Sequence, residues 1–437
     1  MLTMRFVRDN LEAIKKSLEK RGSDYPLDKL LELDEEKRKI QKELENLRAY
    51  KNKESIEISK LKKENKEVSK EKIEELEEVK KRIDELEKKF NEIGNELNEL
   101  LWRMPNILEE DVPIGKDDSE NVEIKRVGEI KEKNIELSHD EILTRLGLLD
   151  LDQAANVSGA RFYYLKGDLA LLELSLIRFA VDELIKKGYE LISPPLLMKR
   201  EYYKGVTSLA DFEEALYLAT DPKEAREKSS LEHIEDELFL ISTSEHPMAA
   251  LYANHIFNKE DLPKKLVGYS PCFRREAGAH GKDTKGIFRV HQFYKVEQFI
   301  FSLPEESKAM HQELLKNSEE IFQKLGLPYR VVNICTGDIG IVASKKYDIE
   351  AYMPLQKKFR EVVSCSNCTD WQALRLNIRY RENNELKHVH TLNSTAIAVE
   401  RAIVGIIENY VNDDLSITIP KALVPYFGKE KIEPIKK

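Results

Sequence analysis

From Leu76 onward the apolar residues fall at Leu76, Val79, Ile83, Leu86, Phe90, Ile93, Leu97 and Leu100, three and four residues apart in strict alternation. That is the a/d seam of a heptad repeat. Upstream, Leu30, Leu33, Ile40, Leu44, Leu47, Ile58, Leu61 and Val68 keep the same kind of register, with polar residues in its gaps at Lys37, Lys51, Glu54 and Asn65. No glycine interrupts the chain between Leu27 and Gly94, and no proline follows Pro26 until Pro105. The pattern predicts two long helices, joined near "ENKEVSKEK" and folded back as an antiparallel hairpin. At the rise of an α-helix the arm would be roughly 50 Å long.

The period then changes. "RMPNILEEDVPIGKDDSENVEIKRVGE" is punctuated by proline and glycine, and past it helical and extended stretches alternate without a repeat. The chain divides on this reading into an arm at 1–104, a linker at 105–125 and a globular domain at 126–437, an α+β organisation. In the globular part a helix ends near Lys187 at Gly188, and Pro194-Pro195 belongs at a strand edge or turn. Residues 209–236 contain a charged helical insertion between two extended pieces, "ALYLAT" and "LFLIST". In "CFRREAGAHGKDTKGIFRVHQFYKVEQF" a period of two puts Arg289, His291, Phe293, Lys295 and Glu297 on one strand face. Arg274 and Glu276 share a face of the incoming strand, and the loop "AGAHGKDTKG" overhangs both.

Charge and cysteine content narrow the class. The 437 residues carry a formal net charge of -9. This excludes a protein coated in positive charge but not a local basic patch. Such a patch exists: from Lys37 to Lys72 thirteen Lys/Arg face seven Asp/Glu, whereas the second arm helix is acidic. Four cysteines give no disulfide framework and suit a reducing compartment. No signal-like run opens the chain, and "LALLELSLIRFAVDELI" is broken by Glu173, Arg178 and Asp182, as an amphipathic helix would be. The expectation is a soluble cytoplasmic protein with no membrane association.

A face that mixes guanidinium, carboxylate and an aromatic ring under a basic loop fits a nucleotide. Arginine takes phosphate, phenylalanine stacks on the base and glutamate meets polar edges. "HTLNSTAIAVER" reads as a strand leading into a helix, with Arg401 on the first turns, where a phosphate near the helix N-terminus is within reach. "KFREVVSCSNCTDWQALRLNIRYR" adds Glu361 and Ser364, and "LFLISTSEHPMAALY" adds Thr243 and Glu245. Cys365-x-x-Cys368 with His388 and His390 invites a zinc reading. Without a second CxxC, and with H-x-H spacing, a satisfied pair of thiols is preferred and no zinc is expected.

"FRREAG" with "GKDTKGIFRVHQFYKVEQF", "TLNSTAIAVER" and "KALVPYFGKE" resemble motif 2, motif 3 and the C-terminal tail of the seryl-tRNA synthetases, a family of class II aminoacyl-tRNA synthetases. "GYELISPP" resembles motif 1, "TSEHPMAAL" the serine loop, and the heptad hairpin the tRNA-binding arm. The resemblance implies a class II catalytic domain, an antiparallel sheet flanked by helices, that dimerises through motif 1 around Pro195. It implies activation of L-serine with ATP to seryl-adenylate and transfer to the 3′ end of tRNA(Ser), and also of tRNA(Sec) where the organism has one. It assigns Arg274 to the α-phosphate, Glu276 to the adenine edge or the tRNA end, Phe293 with Val290 to the adenine, and Arg401 to the γ-phosphate. Arg275, Val362 and Val363 join the ATP set, and Glu361 with Ser364 holds Mg²⁺ through ATP. Thr243, Ser244, Glu245, Arg274, Glu297, Asn393 and Thr395 form the serine set. Arg274, Glu276, Glu361 and Arg401 carry the catalysis. The arm, through Lys37 to Lys72, and the motif 2 loop are the tRNA contacts. Glu400, ahead of Arg401, departs from the small residue often found there. Two other readings compete: a relative that loads an amino acid onto a carrier protein, which would lack the long arm, and a structural coiled coil, which has no use for the Arg274, Phe293, Glu297 and Arg401 constellation.

Overall fold

The computed structural model describes residues 3–65, 67–209, 213–220, 237–276 and 285–434. The insertion expected at 209–236 and the overhanging loop around Ala277 to Thr284 lie largely outside the described residues. The chain forms two compact units, Met1–Met104 and Pro105–Lys437.

In the first unit, helix α1 (Leu27–Lys63) and helix α2 (Lys70–Arg103) pack on each other. Leu30, Leu33, Ile40 and Leu44 of α1 and Ile83, Leu86, Ile93 and Leu97 of α2 are buried, which is the heptad seam read from the sequence. Two of the polar gaps, Lys37 and Glu54, have partners. The Lys37 ammonium lies 4.9 Å from the Phe90 ring centroid. A Cβ at Gly94 would come within 3.1 Å of Lys37 Nζ, so the glycine in α2 makes room for that lysine. Glu54 is buried and receives Lys72 Nζ at 2.7 Å. Ser69 caps α2, its hydroxyl accepting from Lys72 N.

The second unit is built on an eight-stranded sheet. Its strands are β1 (Val122–Val127), β2 (Glu190–Ile192), β3 (Lys264–Phe273), β4 (Gln292–Ser302), β5 (Tyr329–Asn333), β6 (Lys345–Met353), β7 (Lys358–Asn367) and β8 (His390–Ala398). The spatial order is β1-β5-β6-β7-β8-β4-β3-β2, antiparallel except for the β2–β3 pair. The segment expected as a linker packs Leu108 and Val112 against Val332, Ile334 and Ile339, and its last residues open β1. Pro194-Pro195 sits between β2 and the next short strand, Leu197–Lys199.

Helices α3 (Asp168–Ile185), α4 (Ser307–Lys324) and α5 (Val399–Tyr410) cover one face of the sheet. Leu172, Leu176, Val296, Ile300, Phe322 and Ile403 are among the side chains of the resulting core. The alternation along β4 sends Val296 and Ile300 into that core, and Gln298 to the α4 carbonyl of Leu314. It leaves Phe293, Lys295 and Glu297 for the other face. Among the described residues, no helix is long and apolar enough to cross a membrane.

Candidate active site

The face left open by the helices holds a cavity of about 660 Å³. Strands β3 and β4 pair in register, Cys272 opposite Phe293 and Gly268 opposite Glu297, and Arg274 N bonds His291 O just beyond the ladder. Regular strand begins only at Gln292. The expected strand face therefore holds from Phe293 onward, whereas Arg289 reaches the cavity from the loop. His291 is not part of the wall: its ring packs on Phe162 at 5.3 Å and its Nδ1 meets Arg274 O.

One part of the cavity wall gathers two arginines around a carboxylate and aromatic rings. The Arg274 guanidinium carbon lies 5.2 Å from the Phe293 ring centroid, and its Nε donates to Ser242 O at 3.4 Å. Arg401, in the first turn of α5, donates to Glu361 O at 2.9 Å and lies 3.4 Å from the Glu361 carboxylate. Its guanidinium also sits 4.9 Å from the Phe288 ring. Burial raises the Glu361 pKa, but Arg401, Lys346 and Arg274 outweigh it and hold the carboxyl below its usual range. Glu276 adopts a left-handed φ of 48°, a strained backbone for a residue with a Cβ. Its carboxylate lies 3.4 Å from Arg289 Nη1.

A bulge makes the Glu361 corner. Between β6 and β7 the register passes from Ile349 opposite Val363 to Glu350 opposite Glu361, so Val362 is the extra residue. The phase slip brings Glu361, Val362 and Ser364 together onto the cavity wall and turns Val363 into the core.

Another part of the wall is a buried polar pocket. Glu245 Oε1 accepts from Gln372 Nε2 at 3.0 Å and Asn393 Nδ2 at 3.1 Å. Burial, then the nearby Glu297 carboxylate, pushes its pKa up to about 7. Lys295 Nζ lies 2.6 Å from Glu297 Oε2, and Thr395 Oγ1 donates to the same oxygen at 3.3 Å. Burial raises Glu297 as well, against the pull of Lys295. Burial also keeps His246 neutral, with a pKa lowered to about 3.

Thirteen of the expected residues line this one cavity: Thr243, Glu245, Arg274, Glu276, Val290, Phe293, Glu297, Glu361, Val362, Ser364, Asn393, Thr395 and Arg401. Three do not. Ser244 is fully buried with its hydroxyl 3.4 Å from Gly268 O, Val363 is fully buried, and Arg275 is exposed with its N–H on Ala215 O. Pro195 lies apart, exposed after β2. Reading the sequence missed Lys295, Lys346 and Cys368 as wall residues, and Gln372 as the buried amide behind Glu245. The Lys295 signal was present, since the alternation already set it beside Phe293 and Glu297. Cys365 and Cys368 are free buried thiols, and His390 bonds Ser307. Among the described residues no group of three or more His, Cys, Asp or Glu is arranged to hold a metal ion.

Residues 1–108 match the model of the seryl-tRNA synthetase N-terminal domain, and residues 228–410 that of the class II tRNA synthetase core domain for G, H, P, S and T. The chain is 50% identical over 463 residues to the serine--tRNA ligase of Thermococcus sibiricus, covering 100% of this chain and 98% of that one. The chain belongs to the seryl-tRNA synthetases. A crystal structure of this family's member from Pyrococcus horikoshii, complexed with ATP, superposes with a TM-score of 0.89 at 47% identity over 100% of both chains. The cytoplasmic serine-tRNA ligase of Naegleria fowleri, in complex with AMP, gives 0.84 at 35% identity, covering 98% of this chain and 96% of that one. The family's fold, a long helical hairpin and an antiparallel catalytic sheet, is the fold of this chain.

Proposed function

We propose that the cavity activates L-serine with ATP to seryl-adenylate and that the chain passes the seryl group to the 3′ end of tRNA(Ser). The observation that carries this reading is a single cavity whose wall holds both an Arg274, Phe293 and Arg401 corner and a Glu245, Lys295 and Glu297 pocket. A triphosphate and a small amino acid would then share one cavity. The serine carboxylate is itself the nucleophile, so no side chain need remove a proton from it. Catalysis reduces to alignment and to positive charge around the α-phosphate as pyrophosphate leaves. Arg274 supplies charge at that phosphorus and Arg401 at the far phosphates, and the Phe293 ring stacks on the adenine.

Glu361, held ionised, and the Ser364 hydroxyl suit a Mg²⁺ ion carried in with ATP. When bound, the ion neutralises phosphate charge. Glu245 and Glu297 suit the serine ammonium and hydroxyl. A pocket built to pair a hydroxyl discriminates against alanine and glycine by up to ~10⁴ to 10⁵. Dimerisation through motif 1 is supported by exposed Leu171, Leu174, Leu191, Leu196 and Leu197 on and around α3 and β2. Contact of the basic arm stretch and the motif 2 loop with tRNA, and a cytoplasmic location, complete the reading.

Exchange of pyrophosphate into ATP, measured with each amino acid and no tRNA, tests it. Serine-only exchange is expected. Exchange with glycine or alanine instead would move the function to carrier loading, and no exchange would remove the enzymatic reading.

A further inference from the structure

Glu400 stands immediately before Arg401, is 1% exposed and lines the cavity. Nothing in the adenylation chemistry above uses it, yet it has a dense set of partners. Its Oε1 accepts from the Tyr163 hydroxyl, and its two oxygens accept from Tyr294 N at 3.0 and 2.9 Å. A second carboxyl, Glu173 on α3, lies close enough to share a hydrogen bond with it. The cluster thus joins three elements: α3, the β4 residue that follows Phe293, and the α5 residue that precedes Arg401.

Two carboxyl groups bond to each other only with a proton between them. Burial, with the Glu173 carboxylate adding to it, pushes Glu400 up to about 8 against the pull of its Tyr163 and Tyr294 hydrogen bonds; burial raises Glu173 too. The titratable and charged groups facing Glu400 are Tyr163 ahead of α3, Glu173 on α3 and Tyr294 on β4. Arg401 on its own helix turns instead to Glu361 and Phe288.

We propose that Glu400, through its bonds to Glu173, Tyr163 and Tyr294, is a positioning residue that holds the Phe293 strand and the Arg401 helix at the spacing ATP requires. The proposal rests on the cavity being the ATP site. While the pair shares its proton, the two elements are tied. Once that proton leaves, two adjoining carboxylates repel, Glu400 is drawn off Tyr294 N, and the ring and guanidinium that bracket ATP move apart. Glutamine at either position supplies an N–H in place of the shared proton.

The test is pyrophosphate exchange by the full chain from near-neutral to alkaline pH, comparing wild type with Glu400→Gln and Glu173→Gln. In the wild type the KM for ATP is expected to rise about tenfold above the pKa of the pair while kcat moves less. Both variants are expected to keep the neutral-pH KM and lose the alkaline rise. A wild-type profile that stays flat, or a rise that persists unchanged in both variants, overturns the proposal. Thermal melts run alongside, and if Glu400→Gln does not fold, Glu173→Gln decides alone. No exchange by the wild type at neutral pH would instead sink the ATP reading itself.

Discussion

Lys295 Nζ lies 2.6 Å from Glu297 Oε2, with the Lys295 side chain 8% and the Glu297 side chain 1% exposed. A pair buried this deeply rewards neither charge alone, because removing one partner leaves the other desolvated and uncompensated. Lys295→Met should cost about 3–5 kcal/mol of stability. It should also raise the KM for serine, since Glu245 and Glu297 lose the cation that lowers both pKa values. Thermal unfolding with serine titration checks this, and an unchanged serine KM would contradict it.

Serine binding should depend on pH through Glu245. Its folded pKa is raised to about 7, so the carboxyl is neutral at acid pH and ionises as pH rises through that value. The ionised form is the one that holds an ammonium. The KM for serine is therefore expected to fall between about pH 6 and 8, and Glu245→Gln to abolish the fall. For stability the sign is opposite. A raised carboxyl pKa costs the fold between the ordinary carboxylate pKa and the folded one, so the variant should melt higher near neutrality.

Part of this architecture was legible because it is local. The heptad seam and the Phe293, Lys295 and Glu297 face follow from periods of 3.5 and 2, and the place of Pro194-Pro195 at a strand edge follows from proline's missing N–H. What was not legible depends on events with no sequence period. The bulge at Val362 shifts the phase of β7 and puts Glu361, Val362 and Ser364 on the cavity wall, whereas Val363, which the resemblance set with ATP, lies in the core. Lys295 in a strand reads as a solvated residue until its partner is buried beside it. Glu400 finds Tyr163 across 237 positions, a pairing that only the folded sheet and helices create.

The arm separates the two steps of the reaction. Deleting residues 30–100 should leave serine-dependent exchange intact and abolish aminoacylation of tRNA(Ser). A finer version replaces the exposed Lys42, Lys60 and Lys63 of α1 with alanine. Each lost phosphate contact should lower the slope of log affinity against log salt by about 0.9 on duplex RNA, by analogy with B-DNA. A deletion that aminoacylates normally would remove the arm from tRNA binding.

The exposed leucines make a distinct claim about assembly. Leu174 is 61% exposed on α3, beside Leu171 on the same surface. Leu174→Asp is expected to turn a dimer into a monomer in sedimentation and to reduce exchange activity, because α3 packs on the strands that carry the site. A monomeric wild type would refute the motif 1 assignment.

The return of the motif 2 loop has its own latch. His139 Nε2 accepts from Ile287 N at 3.3 Å, while His139 Nδ1 lies 3.7 Å from the fully buried Glu408 carboxylate. Glu408 is itself fixed by Leu355 N and the Gln356 amide. The donor on Nδ1 faces Glu408, which leaves the Nε2 lone pair for the loop. Gly286, at φ 76°, passes so close that a Cβ there would fall 2.1 Å from His139 Nε2. The residues this contact anchors, Ile287 to Val290, line the cavity, and Phe288 is stacked by Arg360 at 3.9 Å. Gly286→Ala and His139→Ala are both expected to raise the KM for ATP, by up to about 10²-fold if the loop shifts by an ångström. His139→Gln, whose amide oxygen can accept from Ile287 N, should recover part of the loss. Hydrogen exchange at the Ile287 amide reads the latch directly: faster exchange in His139→Ala with an unchanged melting temperature supports it, and equal exchange rates would rule it out.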